Sequence, residues 1–120
     1  MSLTATSLQT LESDLNTMIQ SGQILEAFEK YYAEDIVMQD QGFDPWVGKD
    51  LNREREKDFV SKITDFRQGE MVHSAIGDDV TMSVWQFDYT HEDWGVMKYE
   101  QVAVRHWQDG QIVLERFYRG

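Results

Sequence analysis

The chain contains no cysteine, so disulfides, thiol chemistry and cysteine-ligated metal sites are excluded from the outset. It has one proline, Pro45, and only 11 basic residues against 22 acidic ones, for a net charge of −11. A field of that sign repels a phosphate backbone. The single basic cluster, Arg53, Arg55 and Lys57, is interleaved with Glu54, Glu56 and Asp58. Neither nucleic acid nor an anionic membrane surface is therefore an expected partner. Nowhere do apolar residues run long enough to span a bilayer. The opening stretch, MSLTATSLQTLESDL, lacks the basic patch and continuous apolar run of a signal peptide, so a cytoplasmic protein is expected.

What is present has a globular balance. Apolar residues at 41% and charged residues at 28% of 120 suit one domain spanning residues 1–120 with a real core. Leu8, Leu11, Leu15, Met18 and Ile19 recur at spacings of three and four, one stripe of a helix, with Thr6 and Gln9 forming a capping box at its start. A second stripe runs through Ile24, Leu25, Phe28, Tyr31 and Tyr32, with Ser21 as its N-cap. The period then changes. Ile36-Val37-Met38 reads as a short strand ending near Gln39-Asp40, and residues 42–48, with the proline and two glycines, read as a loop. A third helix is expected from Asp50 to about Ile63, with Leu51, Phe59, Val60 and Ile63 inward and an Asp58/Lys62 pair on its solvated face.

Beyond Asp65 the pattern is β: Glu70–Ile76, Val80–His91, Val96–Gln108 and Gln111–Arg119, joined by turns short enough for hairpins. Four strands joined in sequence predict an antiparallel meander. Alternation splits each strand into two faces. Trp85, Phe87 and Tyr89 fall on a mixed aromatic and polar face with Tyr99, Arg105 and Trp107; Val84, Val102 and Val104 fall on an aliphatic one. A two-residue turn at Asp109-Gly110 would pair Trp107 with Ile112. A three-residue turn with Gly110 in a bulge would instead join Ile112 and Leu114 to the aliphatic face, and this register is preferred because it leaves that face uniform. The same logic at Gly77-Asp78-Asp79 sets His73 beside Ser83, on the mixed face. The helices are expected to cap the mixed face around a cavity. The aliphatic face (Val84, Val102, Val104, Ile112, Leu114) is expected to pair with a second copy.

The order of helix, then Ala27-Phe28-x-x-Tyr31-Tyr32-Ala33-Glu34-Asp35, a short strand, Gly48-Lys49-Asp50 opening a third helix, and hairpins ending Asp109-Gly110-Gln111-Ile112-Val113-x-Glu115-Arg116-Phe117-Tyr118 resembles the SnoaL-like branch of the nuclear-transport-factor-2-like superfamily. The resemblance covers nearly the whole chain. It implies an α+β, cystatin-like cone, with N-terminal helices packed in a curved, mostly antiparallel sheet, a pocket at the open end and dimers through the sheet. Ketosteroid isomerases, polyketide cyclases, dehydratases, epoxide hydrolases and non-catalytic modules share that fold, so fold alone does not choose a function. Asp40 ends the short strand where the isomerases keep their general base. Their two oxyanion donors would fall near Leu15 and Ala103, neither of which can donate.

The expected catalytic residues are thus Asp40, His73 and Arg105. A partly desolvated Asp40 could shuttle a proton, or else cap the following loop. His73 could serve as an acid or base across the pocket, or as a hydrogen-bonded strand residue. Arg105 and Glu115 share a face: the arginine could polarise a substrate oxygen with Glu115 orienting it, or the two could form a structural pair. Trp46, Trp85, Phe87, Tyr89, Tyr99 and Trp107 are expected to line the pocket, with Glu115 among them. His91 and His106 are weaker candidates. The only dense metal-type cluster, His91-Glu92-Asp93, lies in a turn without ligand spacing, and no phosphate loop or redox motif calls for a cofactor. The expected function is a small-molecule pocket, either an isomerase-, cyclase- or dehydratase-type enzyme using an acid/base carboxylate on an apolar carbonyl compound, or a non-catalytic binding or dimerisation module.

Overall fold

The computed structural model describes residues 5–119, with side chains from Ser7 onward. Helix α1 (Ala5–Gln20) and helix α2 (Ile24–Tyr31) lead into strands β1 (Tyr32–Asp40) and β2 (Trp46–Val47). Helix α3 (Lys49–Ser61) follows, and then β3 (Ile63–Ile76), β4 (Val80–His91), β5 (Gly95–Gln108) and β6 (Gln111–Arg119). The expected meander is present. Among the described residues the sheet order is β2-β1-β6-β5-β4-β3, with β1 parallel to β6 and every other neighbouring pair antiparallel. The sheet is curved and unclosed around the helices, an α+β cone of the cystatin-like type.

The apolar stripe of α1 does what its spacing predicts: Leu8 and Leu15 are buried against Phe28, Tyr31 and Ile36. The capping box cannot be followed, since the Thr6 side chain lies outside the described residues. Ser21 does not cap α2. Its hydroxyl donates back to the Thr17 carbonyl at 2.8 Å, so it closes α1, while Gly22 takes the left-handed conformation (φ 83°) that lets the chain turn. Strand β1 begins at Tyr32, directly after α2, and is longer than expected. The segment read wholly as loop contains β2, whose two residues pair Val37 with Val47 and Met38 with Trp46.

Two registers differ from expectation, and each decides where a residue singled out in the sequence points. At Asp109-Gly110 both residues have positive φ (52° and 81°), the two-residue turn whose twist matches the flanking strands, and Trp107 lies opposite Ile112. The bulge sits farther along, where Val113 is the extra residue between the Trp107–Ile112 and His106–Leu114 pairs. Ile112 is therefore fully buried on the inner face and leaves the aliphatic one. At the β3–β4 turn the connection is one residue longer than expected, so His73 pairs with Val84 and is exposed on the outer face. The extra residue reverses the side of each residue back to His73, and the bulge between Met71 and His73 then restores the expected register, with Met71 opposite Trp85. Strand β3 also starts earlier than expected and bends at three bulges, which carries Ile63 to a pairing with His91.

Helix α3 lies across the open end of the cone. Leu51, expected inward, is 50% exposed, and the buried residues of α3 are Lys49 and Asn52. A helix facing a cavity presents polar groups where one facing a core would present leucines. The Asp58–Lys62 pair forms at 3.4 Å, and Lys62 also holds Asp93 at 2.8 Å.

Candidate functional site

The cone encloses a cavity of about 360 Å³ between the inner face of the sheet and the three helices. Its walls are mostly apolar and aromatic, including Phe28, Phe59, Trp85, Phe87, Tyr89 and Tyr99. Among the expected lining residues Trp107 is the exception. It is buried in the core against Tyr31, with its indole N–H donating to the Thr81 hydroxyl at 2.8 Å. Leu15 and Ala103 do line the cavity and offer it no donor.

At the inner end stands Arg105, 2% exposed. Its Nε donates to Glu115 Oε2 at 2.7 Å, and its Nη1 donates to Glu12 Oε2 at 2.8 Å and Asn16 Oδ1 at 3.0 Å. Glu12 also accepts from the Thr81 and Ser83 hydroxyls, and the Tyr32 hydroxyl donates to Glu115 Oε2 at 2.6 Å. Burial opposes the charge of Arg105, but the carboxylates of Glu12 and Glu115 outweigh it and hold the guanidinium above its ordinary pKa. Burial raises the Glu115 carboxyl despite the pull of Arg105, and burial beside Glu115 raises the Tyr32 hydroxyl. The expected Arg105–Glu115 pair is therefore real, and α1 completes it. Glu12 and Asn16, one turn apart, were not singled out in the sequence; two polar residues at i and i+4 inside a leucine-lined helix face were the available signal.

The mouth is built differently. Asp40 ends β1 beside β6, and its carboxylate has no hydrogen-bond partner among the described residues, so it does not act as a loop cap. Helix α3 contributes Asn52, Arg55, Glu56 and Phe59, one stripe at i, i+3, i+4 and i+7. Burial pushes the Glu56 carboxyl up to about 7, reinforced by Glu115 and Asp40 and opposed by Arg55. Glu56 keeps intermediate surface exposure because it faces the cavity, yet protein surrounds it on the other sides, and the desolvation follows from that enclosure. Sequence reasoning missed Glu56 by reading this stripe as a solvated face.

Two tyrosines complete the wall near Asp40. The Tyr89 and Tyr99 hydroxyls are hydrogen-bonded at 2.8 Å. Burial raises both, and the bond to Tyr89 raises Tyr99 further. Only one O–H of the pair can point at the other, so one hydroxyl hydrogen remains to offer a ligand. Three buried atoms in the cavity-lining residues Trp85, His91 and Glu115 also lack partners among the described residues: Trp85 Nε1, His91 Nε2 and Glu115 Oε1. His91, read as a weak candidate, is buried, stacks on Trp94 at 3.8 Å, and its Nδ1 accepts the Asp93 N–H at 3.1 Å, which leaves Nε2 as the protonated nitrogen. No cluster of three His, Asp or Glu residues suited to a metal occurs among the described residues. No described helix is long and apolar enough to cross a membrane.

The arrangement offers two carboxyl groups, a shared tyrosine proton and an apolar chamber, a setting for proton transfer on a small organic molecule. Asp40, Arg105, Glu115, Trp46, Trp85, Phe87, Tyr89 and Tyr99 come together on it; His73 and Trp107 do not.

Comparison with known proteins bears on the family. No curated protein sequence matches the chain. Among solved structures, a candidate SnoaL-like polyketide cyclase of Mesorhizobium loti is similar with a TM-score of 0.84 at 22% identity, covering 92% of this chain and 97% of that one. A cystatin-like protein of unknown function from Xanthomonas campestris gives 0.80 at 14% identity, covering 98% and 92%. An epoxide hydrolase of M. tuberculosis, described as LEH-like, gives 0.74 at 13%, covering 92% and 80%. At these identities the likeness is one of fold. The sequence model of the SnoaL-like domain matches residues 6–119, nearly the whole length, and the chain therefore belongs to the SnoaL-like family.

Proposed function

We propose that this protein catalyses cofactor-independent proton transfer on a small, largely apolar carbonyl compound bound in the cavity. The observation that carries the reading is the pairing of an unpartnered Asp40 with Glu56 at the mouth of an aromatic chamber. Asp40, as carboxylate, takes the proton α to the carbonyl. The spare hydroxyl hydrogen of the Tyr89–Tyr99 pair stabilises the developing enolate oxygen, while Arg105 is held between Glu12 and Glu115 through its Nη1 and Nε. Glu56, in its protonated form, returns a proton to the carbon framework or to a leaving oxygen; Asp40 then passes its own proton to water and Glu56 takes one back from water, which restores both groups. Isomerisation, cyclisation and dehydration all fit this sequence of transfers.

The test is hydrogen–deuterium exchange at the α-carbon of a panel of aryl ketones, followed by NMR in D₂O. Wild-type protein should accelerate exchange, and Asp40→Asn should lose about 10²- to 10⁴-fold of that acceleration. Equal exchange by the two proteins would sink the reading. Binding without exchange would leave a ligand-binding module.

We also propose that the outer face pairs with a second copy of the chain. Val84, Val102, Val104 and Leu114 remain on that face, and Met82 and Tyr118 add exposed apolar surface at 44% and 42%. Sedimentation velocity at micromolar concentration should return a dimer; a monomer would overturn this.

A further inference from the structure

Two arginines at the mouth stand out by what they lack. Lys30, Arg53, Lys62, Arg67 and Arg105 each hold a carboxylate at 2.5–3.0 Å. Arg55 and Arg119 line the cavity, and neither has a carboxylate within 4.0 Å among the described residues. Lys49, Lys98 and Arg116 also lack such a partner among the described residues, but none of them lines the cavity.

Both guanidiniums are held in place by other means. Arg55 lies flat on the Trp46 ring, 3.3 Å from its centre, and Arg119 lies on Tyr99 at 4.2 Å. Stacking fixes the plane of a guanidinium and leaves its N–H edge free for a planar anion. Arg55 is also oriented by Asn52, a fully buried residue whose Oδ1 accepts from Arg55 Nη1 at 2.9 Å. The Asn52 amide N–H₂ in turn donates to the Trp46 and Gly48 carbonyls at 3.0 and 2.9 Å, so the amide cannot turn away. A buried asparagine with all these bonds satisfied serves to aim an arginine. Burial depresses the Arg55 pKa, and the Glu56 and Asp40 carboxyl groups, which oppose that shift, do not outweigh it.

We propose that the ligand carries a carboxylate, bound at the mouth by Arg55 and Arg119, with its apolar body in the aromatic chamber. The proposal rests on the pocket reading above and names the ligand class for it. The carboxylate would accept from the guanidinium N–H groups that Asn52 and the rings leave free, on the side of the cavity that Asp40 and Tyr99 also line, with Arg119 over the Tyr99 ring. Asp40 opposes an anion there, and two arginines against one aspartate leave the attraction dominant while Glu56 is neutral. An apolar keto acid meets every one of these demands.

The test uses matched acids and amides as probes: 2-naphthylacetate against 2-naphthylacetamide, and 4-phenylbutyrate against its amide, titrated calorimetrically into the full chain. Each acid should bind about tenfold or more tighter than its amide, as expected when a charge-assisted, bidentate contact is gained. Arg55→Gln and Arg119→Gln should each remove most of that preference, lowering acid affinity far more than amide affinity. Arg119→Gln should unfold near the wild-type midpoint, whereas Arg55→Gln also gives up the Trp46 stacking and the Asn52 bond and should unfold somewhat earlier, so loss of the acid preference in Arg119→Gln is the arm that isolates the ligand contact. Equal affinity for acid and amide, or a preference that survives both variants, overturns the carboxylate and leaves the pocket standing. If neither member of either pair binds, the pocket reading falls with it.

Discussion

The two ends of the cavity are made from the same residue types and differ in how completely they are satisfied. At the inner end, one arginine sits between two glutamates and is tied in further by Asn16, Thr81, Ser83 and Tyr32, with almost no exposure, and of the carboxylate oxygens there only Glu115 Oε1 is left without a partner among the described residues. At the mouth, Asp40 has no partner among the described residues, and Arg55 and Arg119 stack on rings without meeting a carboxylate. A buried polar network whose members satisfy one another rigidifies a fold. A polar cluster whose members do not is available to a ligand. Arg105 therefore belongs to the scaffold of the cone, and the open mouth is where the proposed chemistry is set, although both had equal claim as site residues in the sequence.

That assignment is broken most directly at Arg105. Arg105→Met removes the cation and leaves Glu12 and Glu115 buried beside one another, the unfavourable way to dismantle a buried pair. The loss should be about 3–5 kcal/mol of stability, read from the urea midpoint and slope. Asp40→Asn, in contrast, should leave the midpoint near that of the wild type. A small loss at Arg105 would mean the inner network contributes little to the fold and that its guanidinium is free to serve a ligand after all.

Why one end was easier to read than the other has a physical explanation. The order of elements was legible because helical stripes and strand alternation are local, and Asp40 was singled out because the resemblance puts the isomerases' general base at the end of that short strand. The side on which a strand residue points depends on the exact length of a turn and the position of a bulge, which are set by the whole sheet. That is why His73 and Ile112 fell on the wrong faces although their strands were correctly identified. Trp107 kept its face and was displaced by packing, since Tyr31 and Thr81 claim it for the core. Glu56 was missed for another reason. Its stripe on α3 looks solvated by composition, and only the placement of the helix over a cavity turns Arg55 and Glu56 inward.

Glu56 also gives the smaller and sharper test, because its raised pKa makes stability depend on pH. Below about 4.5 the carboxyl is protonated in both folded and unfolded chains, so its contribution is constant. Between there and about 7 the unfolded chain has released the proton while the folded chain still binds it, so stability falls as pH rises, and above about 7 the loss is complete. The groups facing it are Arg55 on α3, Asp40 and Tyr32 on β1, and Glu115 on β6. Arg55 alone favours ionisation; desolvation and the two carboxylates oppose it. The total loss should be about 1–2 kcal/mol, less than the shift alone implies because the carboxyl faces an open cavity. Glu56→Gln removes the titrating proton while keeping the size of the side chain. It should flatten the stability profile between pH 5 and 7 by about that amount and make the variant more stable than wild type at pH 8. If wild type and variant change in parallel across that window, Glu56 ionises as a solvated carboxylate. The mouth would then carry two negative charges at neutral pH, and the proton that the proposed reaction returns to its substrate would need another source.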